Sequence, residues 1–294
     1  MKALRIQGVI FTAGATLVTL GSLGLGRLPP QVELIVVAVL ILVLGVPHGA
    51  LDTIFAKQLY GIRTLTGWLQ FALLYVLLAA FVVGLWLWQP GLFLLGFLII
   101  SAVHFSGDPL PPTPWPSRLF YGGSVILLPT LWHAPEIGRL FGLLVGDLTA
   151  APLVPWLRLL AWPWLVGLTF ASLWHIRKDV WTSLEMAAAG ALALAAPPLV
   201  AFVVFFCGMH SARHILRTFD FSGRSSWRYV TGAALLPMIG VLLGSGLAWG
   251  FLRDTAIDAR VIQVVFVGLA ALTVPHMVLV ERVRFSGWVR KTSA

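Results

Sequence analysis

The stretch CGMHSARH, residues 207 to 214, carries two histidines four positions apart, His210 and His214. On an α-helix that spacing puts them one turn apart on the same face, a disposition suited to holding a metal ion. In a water-soluble helix two solvated or hydrogen-bonded histidines would explain the pair equally well. Here the run leading into it, from near Leu199, is apolar enough to lie in lipid, where ionisable groups are expensive and usually mark a functional interior. The metal reading is therefore favoured, and other histidines become candidates for the same place.

The elements that must position them are membrane helices. Of the 294 residues, 59% are hydrophobic and only 11% charged, whereas ordinary soluble domains carry about 25% charged residues. The mean hydropathy is +0.93. This predicts an all-α polytopic helix bundle embedded in the membrane, with residues 1–294 as a single domain, since no long polar stretch suggests a second one. Apolar segments near the crossing length of about 17 to 25 residues fall at 8–25, 32–55, 67–88, 91–106 and 118–133, then at 153–176, 182–196, 198–217, 228–250 and 260–281. That is about ten membrane segments (8–10, the short ones setting the range). The pair flanking Pro197 and Pro198 reads either as two short spans or as one broken element. Residues 136–145 read as an amphipathic piece lying at the interface.

The net charge of +9 raises the question of a nucleic-acid partner, but the basic residues are spread over connecting segments rather than gathered into a stripe. Topogenesis accounts for them better. With both termini inside, the ten-segment scheme leaves only Arg27, Arg139, Arg158, Arg253 and Arg260 outside, out of 20 Lys and Arg. Lys57, Arg63, Arg213, Arg217, Arg224, Arg284, Arg290 and Lys291 are among those it places on the cytoplasmic side. That bias is the one the positive-inside rule expects. The single cysteine, Cys207, rules out an intramolecular disulfide and a thiolate cluster, which leaves imidazole as the nitrogen or sulfur ligand.

The same scheme sorts the seven histidines by depth. His48, His104, His210, His214 and His276 all fall near the ends of segments that run inward, so they converge at one height in the cytoplasmic third of the membrane. One shared site explains this most economically. His133 ends an outward segment and is expected to be remote; His175, beside Arg177 and Lys178, reads as an interfacial polar residue. Imidazole-only ligation suits Zn, Cu, Fe and Ni, so residue chemistry alone leaves the metal open. Asp52, one turn beyond His48, and Asp108, four residues beyond His104, are candidates to accept a hydrogen bond from a ligating ring. For Asp108, which precedes Pro109 in a proline-rich loop, a solvated helix end is an equally good reading. Pro47 and Pro275 precede His48 and His276, and each would free a carbonyl one turn back.

Four motifs carry a resemblance. GVPHGALD at 45–52, HF at 104–105, FFCGMHSARH at 205–214 and VVFVGLAALTVPHM at 264–277 resemble the Brp/Blh family of membrane beta-carotene dioxygenases, in the right order and over most of the chain. The chain departs from the usual family pattern at Ser106, where glycine is common. The resemblance implies cleavage of beta-carotene at its central 15,15' double bond by Fe(II) and O2 to give two molecules of retinal. It also implies iron held by His48, His104, His210 and His214. That set is complete without His276, so His276 and Asp52 are expected to orient a ligand or border the substrate. A multi-pass protein of the inner (plasma) membrane, working within the lipid bilayer and passing retinal to a microbial rhodopsin, would fit. A bis-histidine haem protein and a non-catalytic transport or rhodopsin-assembly protein are the alternatives. A di-iron desaturase needs about eight histidines with an adjacent pair, which this chain lacks. No Ser/His/Asp arrangement supports hydrolysis.

Overall fold

The computed structural model describes residues 2–24, 28–223 and 226–283, and within them all regular structure is helical. Arg27, Arg224, Arg284, Arg290 and Lys291, counted above in the charge bias, lie outside the described residues. In chain order the principal helices are α1 (Lys2–Gly24), α2 (Pro30–Tyr60), α3 (Leu65–Trp88) and α4 (Pro90–Phe105). Next come α5 (Trp115–Leu127, continued by a turn at Pro129–Trp132), α6 (Ala134–Val145), α7 (Asp147–Ile176) and α8 (Val180–Ala195). The last three are α9 (Pro198–Phe221), α10 (Trp227–Phe251) and α11 (Ile257–Val283).

Local chemistry sets the ends. Proline occupies the first turn of α2, α4 and α9, where its missing N–H costs nothing and its fixed φ suits the helix. Thr64 and Ser226 cap α3 and α10 by accepting from the Gly67 and Tyr229 N–H groups. Gly61, at φ +60°, ends α2 in the left-handed region. The two prolines at 197 and 198 separate α8 and α9 into distinct helices, with Ala196 and Pro197 extended between them.

Among the described residues, seven helices are long and apolar enough to cross a membrane, and α4 and α8 are shorter apolar helices. The molecule is inside-out in polarity. α3 and α10 bury only 6% of their most apolar stretches, whereas α9 buries 56%. Thus α9 is the central helix and α3 and α10 are peripheral, turning Leu69, Leu73, Leu77, Leu236, Leu243 and Leu247 outward as a lipid-facing surface requires. The polar side chains go the other way: His48, Asp52, His104, Asp108, Glu185, His210, Arg213, His214 and His276 are all buried.

Two π-helical turns interrupt the central elements, Ile41–Gly45 in α2 and Val204–Ser211 in α9. Such turns leave carbonyls outside the regular ladder and recur at functional sites. Here they pack against each other. Ser211 Oγ donates to the Leu44 carbonyl at 2.5 Å, and Cys207 Sγ reaches the Leu40 carbonyl at 3.5 Å. A Cβ at position 45 would stand 2.4 Å from the Phe206 ring, so only glycine allows this approach.

Candidate metal centre

Five imidazoles meet where α2, α4, α9 and α11 converge. His48 follows the π turn of α2, and its Nδ1 lies 2.5 Å from the Gly45 carbonyl. The Gly49 N–H turns to the Val46 carbonyl at 3.1 Å, which leaves the Gly45 carbonyl open to the ring. His104 sits in the last turn of α4, its ring centre 4.4 Å from that of His210. His210 lies in the π turn of α9, and both oxygens of Asp108 stand 3.0 Å from its Nδ1. His214, one turn further, has Nδ1 3.4 Å from Thr218 Oγ1. His276 in α11 has Nδ1 2.7 Å from Asp52 Oδ1, and Tyr75 donates to the other Asp52 oxygen at 2.9 Å.

A carboxylate only accepts, so Asp108 and Asp52 fix the proton of His210 and His276 on Nδ1 and leave the lone pair on Nε2. Both Nε2 atoms are buried and find no hydrogen-bond partner among the described residues. Leaving such an atom unsatisfied costs about 1–3 kcal/mol, and a bound cation removes that cost. Ligand atoms of His48, His104 and His276 lie within 4.8 Å of one another. His48, His210, His214 and His276 are held through Nδ1, and an all-imidazole donor set of this kind fits a transition-metal ion. Around it Phe55 packs edge-on against His214, Phe206 against His48 and Phe105 against His210, at 5.6, 5.4 and 4.9 Å. These rings shield the centre from water.

Behind the histidines lies a polar layer that is not evident from the motifs. Arg213 is fully buried. It makes a bidentate pair with Glu185 at 2.9 and 2.7 Å, donates through Nε to Gln7 at 2.8 Å and through Nη1 to the Asp108 carbonyl at 3.0 Å. Arg217 donates to the carbonyls of Gly107 and Asp108, both at 2.8 Å. The loop after His104 is thereby clamped, and Asp108 is buried against His210 rather than solvated. Its proline-rich context suggested exposure; the two arginines of α9 reverse that. Gly8 admits the pair, since a Cβ there would lie 2.7 Å from Glu185 Oε2 and 2.9 Å from Arg213 Nη2. A lone glutamate in the apolar run of α8 was the available signal for this layer.

The other two histidines stand apart. His133 Nε2 pairs with the Leu194 carbonyl at 3.0 Å. His175 is buried at the end of α7, with 5% exposure. Its carbonyl accepts from the N–H groups of Lys178 and Asp179, so the turn that follows folds over it.

The family model for beta-carotene 15,15'-dioxygenase matches residues 39–283, a span that takes in all five clustered histidines. The chain belongs to the beta-carotene 15,15'-dioxygenase family. Among curated relatives, the beta-carotene 15,15'-dioxygenase of an uncultured marine bacterium, 66A03, is 34% identical over 256 residues, covering 82% of this chain and 90% of the relative. No solved structure matches. The four motifs that resembled the Brp/Blh dioxygenases all lie inside the matched span, and each brings at least one of the clustered histidines to the centre.

Proposed function

We propose that this chain is a non-haem iron dioxygenase that cleaves beta-carotene at its central 15,15' double bond, with Fe(II) held by His48, His104, His210 and His214. The observation that carries the reading is the buried convergence of imidazoles whose Nδ1 atoms are occupied by Gly45, Asp108 and Thr218, in a family named for this reaction. Iron(II), when bound, supplies the capacity to activate O2 beside the polyene. The products are two molecules of all-trans-retinal, both oxygen atoms of O2 ending in the two aldehydes, so no external reductant is needed.

The chain's own residues do the rest. Asp108 and the Gly45 carbonyl hold the rings of His210 and His48 so that Nε2 faces inward. Phe105, Phe206 and Phe55 keep water from the reacting centre, which protects reactive species from hydrolysis. Hydrolytic chemistry is disfavoured because the carboxylates around the histidines are committed: Asp52 to His276 and Tyr75, Asp108 to His210, and Glu185 to Arg213. An apolar substrate partitions into the bilayer and enters sideways between helices. The setting we propose is the inner membrane, crossed about ten times with both termini in the cytoplasm, and a microbial rhodopsin is the proposed recipient of retinal.

The test is expression in cells that make beta-carotene. Loss of colour with two retinals gained per carotene lost supports the reading. Carotene untouched by membrane-inserted protein, or a haem Soret band on purification, overturns it.

A further inference from the structure

Resting on the metal reading above, we infer that His276 is a direct ligand of the ion, with Asp52 and Tyr75 as the positioning residues that aim it. The ligand set implied by the family resemblance ends with the two histidines of α9. The geometry adds α11.

Imidazoles bound to one ion at about 2.0–2.1 Å have ring centres roughly 4.6–5.3 Å apart when they are adjacent ligands. The ring of His276 stands 5.1 Å from His48, 5.1 Å from His104 and 4.9 Å from His214. Among the four themselves the ring centres run from 4.4 Å for His104 to His210, through 5.0 and 5.2 Å for His48 to His210 and His214, to 6.4 Å for His210 to His214, so His276 is as close to three of them as they are to one another. A ligand atom of His276 belongs to the tight group with His48 and His104.

The surroundings of the ring point the same way. Asp52 Oδ1, at 2.7 Å from Nδ1, accepts from the ring N–H, and the Tyr75 hydroxyl holds Asp52 by donating to its other oxygen. Tyr75 also lies 3.4 Å from the Leu272 carbonyl, one turn before His276 on the same helix. The carboxylate is thus fixed between α2, α3 and α11, and a neutral ring that donates its Nδ1–H to it presents the lone pair on Nε2. That Nε2 is buried and has no hydrogen-bond partner among the described residues. A ring that merely bordered the site would carry the full desolvation cost of that lone pair with nothing in return. Carboxylate-to-imidazole support of this kind is what ligating histidines have. His210 is supported in the same way by Asp108, so two of the five rings share one construction.

The test uses the full-length chain in detergent micelles, stripped of metal and titrated with Co(II), read by visible absorption and by elemental analysis. Wild type should bind one cobalt per chain. His276→Gln should weaken binding 100-fold or more and alter the ligand-field spectrum, and added imidazole should restore that spectrum in His276→Ala. Asp52→Asn should weaken binding 10- to 100-fold while preserving the spectrum. Cobalt bound by His276→Gln with unaltered affinity and spectrum overturns the inference and leaves the metal centre standing. Wild type that binds no cobalt instead overturns the metal reading itself. Should His276→Gln fail to elute as folded protein, unaltered affinity in folded Asp52→Asn decides against the inference.

Discussion

Asp108 grips His210 with both carboxylate oxygens, each 3.0 Å from Nδ1, although the two residues are far apart in the chain and Asp108 lies in a loop between α4 and α5. The contact ties the end of one membrane helix to the π turn of another. It therefore couples the position of His104, four residues before Asp108, to that of His210.

Replacing Asp108 by Ala releases that coupling without removing a ligand. Metal affinity and retinal yield should both fall 10- to 100-fold, while the amount of inserted protein changes little. Elemental analysis of the purified variant beside its retinal yield checks this. Full iron with full activity would show that the contact is incidental.

The pair between Arg213 and Glu185 is buried, with side-chain exposures of 0% and 9%. Breaking a buried pair from one side strands a charge and costs about 3–5 kcal/mol. Glu185→Gln should therefore lower thermal stability in detergent sharply, and Arg213→Lys should rescue poorly because an ammonium cannot reproduce the bidentate geometry. Replacing both residues by Met should be less damaging than either single loss. The measurement is the melting midpoint of the three variants against wild type.

Gly45→Ala would put a methyl group 2.4 Å from Phe206, whose ring lies parallel to His210 at 5.8 Å. The ring must shift, and its stacking on His210 shifts with it. Metal binding and activity should fall together, and overpacking of this kind typically costs about 1–3 kcal/mol of stability. Unchanged activity would mean that the π turns tolerate separation.

Much of this was legible in the sequence and part was not. Among the described residues each of the ten apolar segments falls on helix, seven of them on helices long and apolar enough to cross a membrane, and His48, His104, His210, His214 and His276 come together from four helices. The π turns were not legible, since they depend on α2 and α9 pressing Gly45 against Phe206. Arg213 had the look of a topogenic charge: a sequence shows that a charge exists, not whether it faces water or a buried glutamate from another helix. Asp108 was obscured for the same reason, its burial being imposed by donors more than a hundred residues away.

His133 marks the boundary of the site. Its Nε2 is engaged by the Leu194 carbonyl, and it lies outside the clustered five. His133→Ala should keep retinal yield per unit of inserted protein within a factor of about two, whereas His48→Ala, His104→Ala, His210→Ala and His214→Ala should abolish it. A dead His133→Ala that inserts normally would remove the distinction.

The proposed iron, held by these histidines, is what would cleave beta-carotene. The most direct measurement strips the purified chain of metal, adds back Fe(II) or Zn(II), and quantifies retinal formed from beta-carotene under O2. Iron should restore activity in proportion to its loading, up to about one ion per chain, and zinc should bind without restoring it. Full retinal formation by the stripped chain, or equal activity with zinc, would contradict iron-dependent cleavage.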